Sequence, residues 1–251
     1  MQLKKDLIYF SRFARKFGIS SGAALFANIK RNRLQSIKLP HLPAPIALRK
    51  NTSDLETFYQ IFLYDEYDTH YIPNPKVIID GGANVGLFAV WIKNRFPDAT
   101  VISVEPDPGN FELVKQNVAA YPNVHVENKG IWSRTTRLKV YDKYNRGKWG
   151  FVVEEDNEGS IEAISISDIM AKYGLERIDI LKLDIETSEK KVFSENYEDW
   201  LPKTKMLIVE IHDHMEEGCA KPFFEAINRT ISNYTYLVKG ENTVIINNDL
   251  D

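Results

Sequence analysis

The stretch Lys76-Val-Ile-Ile-Asp80-Gly81-Gly82-Ala83-Asn84-Val85-Gly86 decides the fold. Val77, Ile78 and Ile79 form an unbroken apolar run, the pattern of a strand buried on both faces of a parallel sheet. A glycine-rich turn follows, then a helical pattern from about Val85 to Phe96, closed by Pro97-Asp98. Glycine leaves no side chain between a ligand and such a turn, and the helix start offers unpaired N–H donors. The glycines fall at 81, 82 and 86, which departs from Gly-x-Gly-x-x-Gly, and no Gly-Lys-Ser/Thr follows, so triphosphate hydrolysis is disfavoured. Asn84 stands where another glycine is expected; Asn is among the few residues that tolerate a left-handed backbone.

Outward from this turn, apolar runs alternate with helical patterns, the signature of an α/β sheet built from βαβ units. Thr100–Glu105 reads as the second strand, and Asp107-Pro108 as a helix start with Asp at the cap and Pro at the first position. Asn123–Glu127 is the third strand. Thr136–Tyr141, Trp149–Glu154 and Ile161–Ile166 read as an antiparallel insertion, and Ser167 as the cap of a helix ending near Tyr173-Gly174. Ile178–Asp184 and Met206–His212 are the fourth and fifth core strands, separated by a helix starting near Ser188. A helix near Lys221–Ile231 and an antiparallel edge of Tyr234–Val238 and Thr243–Ile246 complete the chain.

The chain has 251 residues, 43% hydrophobic and 27% charged, which fits a globular protein with a sizeable core and excludes a disordered, collagenous or coiled-coil chain. Its net charge of −3 is unevenly spread: residues 1–50 hold eleven Lys and Arg against one acid, and residues 51–251 hold 21 against 34. An acidic main domain argues against a nucleic-acid grip, which needs a basic face. In the basic head, Leu3, Leu7, Phe10, Phe13 and Phe17 recur at helical spacing up to Phe17-Gly18. This amphipathic helix either packs on the body or rests on anionic lipid. Pro40, Pro43 and Pro45 mark residues 39–48 as an irregular linker. One cysteine, Cys219, excludes an internal disulfide and favours a reducing compartment, and no apolar run reaches the 18 residues of a membrane span. The first apolar run breaks at Ser11-Arg12, too soon for a signal peptide. The expected location is cytoplasmic, with residues 1–38 available for peripheral membrane contact.

Glu105 closes the second strand 19 residues beyond Gly86, where an acid can accept hydrogen bonds from both ribose hydroxyls of an adenosine-containing cofactor. Taken together, the Asp at the first strand end, the Gly-Gly-Ala-Asn-x-Gly turn and this acid resemble the class I S-adenosylmethionine-dependent methyltransferases. More narrowly, the chain resembles the FkbM-type methyltransferases. From about Leu39 onward the resemblance runs through Ile46–Asp54, Tyr64–Tyr67, Ile79–Gly86, Val104–Asp107, Leu181-Lys-Leu-Asp-Ile-Glu186 and Ile208-Val-Glu-Ile-His-Asp213.

The resemblance implies a Rossmann-like, mostly parallel seven-stranded sheet flanked by helices, with an antiparallel edge. Residues 1–38 then form a helical extension, 39–75 a cap segment and 76–251 the core. It further implies S-adenosyl-L-methionine as cofactor, held by Asp80, Gly81, Gly82, Asn84, Gly86, Glu105 and Asp184. The segment Gly130-Ile131-Trp132 would lie at the adenine edge, and Trp132 is either a cofactor contact or a core aromatic. Ser53-Asp54 reads as a cap over the site or as the N-cap of a helix carrying Phe58 and Phe62.

The implied activity is methyl transfer to a hydroxyl of a sugar, glycan precursor or other small metabolite. An alcohol is a weak nucleophile unless its proton leaves as the bond forms. His212 is the leading base, with Asp184 and Glu186 as alternatives; the two acids, two apart, point the same way if both stay extended. Asp184, Glu186, Glu210 and His212 would suit a divalent cation, yet no spacing demands one and no metal is expected. Thr187 replaces the glycine usual after the family's Asp-x-Glu, which should alter the turn. A catalytically silent binding module and a nicotinamide-dependent oxidoreductase are the alternative functions; Asn84 and the Asp184/Glu186 pair disfavour the second.

Overall fold

The structure, a computed structural model, describes residues 2–30, 36–67, 69–142 and 151–250. Two helices, α1 (Gln2–Phe17) and α2 (Ile19–Lys30), lead into a two-stranded ribbon of β1 (Ser36–Ile37) and β2 (Ile46–Ala47). Helix α3 (Asp54–Phe58) continues as a π-helical turn, Tyr59–Leu63. The core follows as β3 (Val77–Gly81), α4 (Leu87–Arg95), β4 (Thr100–Val104), α5 (Pro108–Val118) and β5 (Val124–Glu127). The insertion holds β6 (Gly130–Ile131), β7 (Arg137–Asp142), β8 (Phe151–Glu155) and β9 (Ile161–Ile164). Then come α6 (Ile166–Tyr173), β10 (Ile178–Leu183), α7 (Glu189–Val192), β11 (Thr204–Glu210), α8 (Ala220–Thr230), β12 (Tyr234–Lys239) and β13 (Asn242–Asn247).

Seven strands form one sheet in the order β12-β13-β11-β10-β3-β4-β5, parallel except for β12 and β13. This is the Rossmann-like class I methyltransferase fold expected from the sequence. β3 is flanked by β4 on one side and β10 on the other, so the strand order reverses there. A crevice opens at such a switch point, outside the carboxyl ends of the strands, because the adjoining connections leave on opposite faces. The apolar runs are explained by burial on both faces: Ile78 packs into one cluster with Val85, Phe88 and Ile180, and Ile79 into the other with Ile102, Leu181 and Phe223. Asp179 ties the start of β3 to β10 by accepting from the Lys76 and Val77 N–H groups at 2.6 and 3.0 Å.

The head is not a free appendage. Phe13 is fully buried in the first cluster, and Tyr9, Phe13 and Phe17 meet Tyr59 and Phe58 of the cap with ring centroids 5.7–6.4 Å apart. The apolar stripe divides: Phe13 and Phe17 turn inward, while Leu7 is 61% exposed. Among the described residues no helix is long and apolar enough to cross a membrane.

Three local expectations change, and a fourth falls partly outside the described residues. Residues 39–48 are not an irregular linker throughout, since Leu39, Ile46 and Leu48 are buried in the core and Ile46–Ala47 pairs with Ser36–Ile37. Alternating apolar residues among the prolines were the missed signal. Ser165, not Ser167, caps α6: its hydroxyl accepts from the Asp168 N–H, and Asp168 answers the Ser165 N–H in a capping box. Ser53 precedes α3 without a side-chain cap, and Asp54 instead accepts from the Arg49 guanidinium at 2.8 and 3.1 Å and from its backbone N–H at 2.7 Å. Trp149, expected to begin an insertion strand, lies outside the described residues; the described part of that strand is Phe151–Glu155.

Candidate functional site

The turn after β3 owes its shape to three backbone positions. Gly82 has φ +71°, and a Cβ there would overlap the Asp184 carbonyl oxygen, so only glycine lets the first turn press against the end of β10. Asn84 takes φ +52°, the left-handed angle its residue type tolerates, and Gly86 (φ +78°) caps α4. Gly82 and Asn84 line the cleft at the carboxyl ends of the strands. Gly81 is packed against Ile131 and Leu183, and Gly86 against Val114, so neither reaches it.

Asp80, expected to face the cofactor, is instead fully buried beneath the turn. Its Oδ1 lies 3.3 Å from the Lys182 ammonium and its Oδ2 accepts from the Ser103 hydroxyl at 3.3 Å. Burial disfavours the Lys182 charge, but Asp80 outweighs it and holds the ammonium protonated. Lys182 in turn donates to the Gly82 carbonyl at 2.7 Å. The first-strand acid therefore braces the glycine turn from below.

The cleft has two lobes that share Gly82, Asn84, Asp184 and Glu186. The first, about 670 Å³, is bounded by Glu105, Pro106, Asn110, Gly130, Ile131 and Ser188. Glu105 is 5% exposed; it accepts from the Asn84 N–H at 2.8 Å, the Asp107 N–H at 2.9 Å and the Asn110 amide at 3.3 Å. Burial pushes its carboxyl up to about 7 against those three donors. Two buried atoms on this wall have no protein partner, Asn110 Oδ1 and Ser188 Oγ. Sequence reasoning missed both residues, although Asn110 sits one turn past the Asp107-Pro108 helix start it did identify. Trp132 does not join them: its indole N–H donates to Glu155 at 2.8 Å and its ring packs with Leu138 and Ala163. Of the Gly130-Ile131-Trp132 segment, only the first two residues line the cleft.

The second lobe, about 780 Å³, lies between the cap and the carboxyl ends of β10 and β11. The cap contributes Ser53, Thr57, Gln60, Glu66 and Tyr67, and the core contributes Asp184, Glu186 and Glu210. Glu186 (φ +50°) and Thr187 (φ +76°) both leave the extended region, so Asp184 and Glu186 do not converge by strand alternation as expected. They meet because the chain turns twice in the left-handed region, with a buried β-branched residue where the family usually has glycine.

Beneath these acids lies His212, 3% exposed. Its Nδ1 is 3.0 Å from buried Glu189, and its Nε2 is 3.5, 3.6 and 3.7 Å from Glu210, Glu186 and Asp184. Burial opposes a charge on the ring, but the Glu189 hydrogen bond and the surrounding carboxylates outweigh it and push His212 up to about 10. Burial, and next the Asp184 charge, push Glu186 and Glu210 each up to about 8. His212 thus holds its proton near neutrality behind the carboxylates, and the acids rather than the imidazole face the lobe. His212, the leading base candidate of the sequence reading, therefore sits behind Asp184 and Glu186. Asp213, one residue on, turns away to cap α8 by accepting from the N–H groups of Gly218, Cys219 and Ala220. Asp184, Glu210 and His212 each offer a ligand atom within 4.8 Å of the others, so an ion could be held there.

A family model for the methyltransferase FkbM domain matches residues 80–238. Methyltransferase sdnD of Sordaria araneosa is 26% identical over 205 residues, covering 68% of this chain and 78% of that protein. The 2-O-methyltransferase NoeI of Sinorhizobium fredii is 26% identical over 184 residues, covering 66% and 73%. The crystal structure of methyltransferase FkbM from Methylobacillus flagellatus aligns with a TM-score of 0.49 at 14% identity, covering 96% of this chain and 59% of that one.

Proposed function

Since the chain belongs to the FkbM methyltransferase family, we propose that it transfers a methyl group from S-adenosylmethionine to a hydroxyl of a sugar, glycan precursor or other small metabolite. The observation that carries this reading is the shared wall: Asp184 and Glu186 border both lobes, so a donor in one and an acceptor in the other would meet at carboxylates. The first lobe fits an adenosine-bearing donor chemically, because Glu105 offers acceptor oxygens for hydroxyls while Asn110 Oδ1 and Ser188 Oγ are buried without a protein partner. Bound there, the donor would supply a methyl carbon on a cationic sulfur, and its transfer to the acceptor oxygen would leave a neutral thioether. Transfer to oxygen rather than another atom is supported by the likeness to NoeI, a 2-O-methyltransferase.

The chain's own part is to orient and to receive a proton. Asp184 and Glu186 take the hydroxyl proton, and the His212 imidazolium, anchored by Glu189, steadies their charge from behind. Holding two reactants in line removes much of the entropic barrier, and a placed base contributes about 10²–10⁴-fold. The exposed Leu7, Ile8 and Ile19 on the basic head also support peripheral contact with anionic membrane. Calorimetry with S-adenosylmethionine, S-adenosylhomocysteine and NAD, followed by a mass search for roughly +14 Da per transferred methyl on a panel of hydroxylated acceptors, tests the main reading. Binding of NAD but of neither sulfur compound would overturn it.

A further inference from the structure

The second lobe gathers five carboxylates on its polar side, opposite apolar Ile61, Leu87 and Phe88. Glu66 enters from the cap, Glu241 from the turn between β12 and β13, and Asp184, Glu186 and Glu210 from the ends of β10 and β11. Asn242 adds a carbonyl Oδ1 that is buried without a partner, its residue 3% exposed. Leaving such an atom unpaired is costly unless a donor arrives with the ligand. Lys182, the one Lys or Arg bordering the lobe among the described residues, is already engaged: its ammonium lies 3.3 Å from Asp80 and donates to the Gly81 and Gly82 carbonyls. His212, bound to Glu189 through Nδ1, offsets part of the Asp184, Glu186 and Glu210 charge through Nε2 at 3.5–3.7 Å, from beneath rather than from within the lobe.

The carboxylates repel one another across this space. Burial, then the charge of Glu241, raises Glu66. Like charges held in a partly dry cavity call for a cation to offset them. A donor molecule in the first lobe would touch only Asp184 and Glu186 of the set; Glu66, Glu210, Glu241 and Asn242 border the second lobe alone.

We infer that the acceptor carries a protonated nitrogen close to its reacting hydroxyl, as an aminated sugar or an amino alcohol does, and that Glu66, Glu210, Glu241 and Asn242 receive its N–H donors. The inference rests on the methyltransferase reading above. A single divalent ion on Asp184, Glu210 and His212 would leave Glu66 with only the Glu241 backbone N–H and would not reach the Asn242 oxygen, whereas an ammonium beside several hydroxyls presents donors to each wall. A protonated nitrogen has no lone pair, so a pocket that keeps it charged also directs the methyl group to oxygen.

The test uses the full chain saturated with S-adenosylhomocysteine and matched pairs of probes: glucosamine with glucose, galactosamine with galactose, and ethanolamine with ethylene glycol. Ligand-observed NMR titration at neutral pH should show the amine member of at least one pair binding ten or more times tighter than its neutral counterpart. That advantage should fall below threefold in the Glu66→Gln/Glu241→Gln double variant, with S-adenosylhomocysteine affinity unchanged as the check on folding. Glu241→Gln alone, on an exposed turn, should give an intermediate loss. Equal binding of both members in every pair, or no binding of any probe, overturns the inference, as does an amine preference untouched by the variants. Titration with Mn²⁺ alone forms a separate arm: tight binding of the ion that abolishes the amine preference assigns the charge to a metal and overturns it too. If S-adenosylhomocysteine itself fails to bind, the methyltransferase reading has failed instead.

Discussion

The two lobes are built from the same residue type at the carboxyl ends of strands on either side of β3, yet their carboxylates have opposite surroundings. Glu105 is met by two backbone N–H groups and the Asn110 amide. Glu186 and Glu210 instead meet Asp184 and an imidazolium. A carboxylate surrounded by fixed dipoles is suited to reading neutral hydroxyls, whereas clustered carboxylates are suited to moving protons and charge. The difference is one of partners, and on the proposed function it separates binding from chemistry within one cleft.

The contrast breaks first at Asp184, which borders both lobes. Asp184→Asn should lower turnover by roughly 10²–10³-fold, as loss of a proton acceptor does, and single-turnover methyl transfer checks it. Retained turnover would move the proton to another group. Glu105→Gln should act on the other side: S-adenosylhomocysteine affinity should weaken about tenfold or more, the scale of a charge-assisted hydrogen bond. Acceptor affinity, measured by NMR at saturating donor product, should hold. Equal losses for both ligands would mean the lobes are not separable.

Changing pH sharpens the same comparison. Glu186 and Glu210 release their protons near 8, so kcat/KM should climb as pH rises through 8, and Glu186→Gln should flatten that limb. His212 is raised from 6.5 to about 10 in the folded chain, so its stabilisation is fully present below 6.5 and lost as pH rises through 10. Denaturant melts of His212→Gln should lack that alkaline loss; a parallel decline in both proteins would detach the ring from the cluster. The smallest effect is expected at Thr187, where a non-glycine residue at φ +76° stores strain. Thr187→Gly should stabilise the chain by about 1 kcal/mol, the low end of such strain and partly offset by glycine's flexibility when unfolded. That is roughly 2–4 °C in Tm for a chain of this size.

Reading the sequence went furthest where local chemistry and the global fold agree. Apolar runs placed every core strand to within two residues, because strands buried on both faces admit little else. The glycine turn, Asn84 at a left-handed angle, and Asp107-Pro108 at the head of α5 were legible for the same reason: few residues satisfy those backbone demands. Reading failed where identity is compatible with two environments. Asp80 and Trp132 carry polar atoms that can face a ligand or a buried partner, and only Lys182, 102 residues past Asp80, and Glu155 reveal which. Asn110 and Ser188 were missed because an unpartnered atom is defined by everything around it.

The sequence by itself therefore determined the sheet, the turn and the chain's family, which follow from patterns spanning a few residues and from motif order. Only the tertiary structure decided which acids face the cleft, why His212 holds a proton, and that the basic head is packed onto the body through Phe13. Those properties depend on burial and on charges brought together from distant positions, and electrostatic energy in a buried site is set by distance and desolvation rather than by order along the chain.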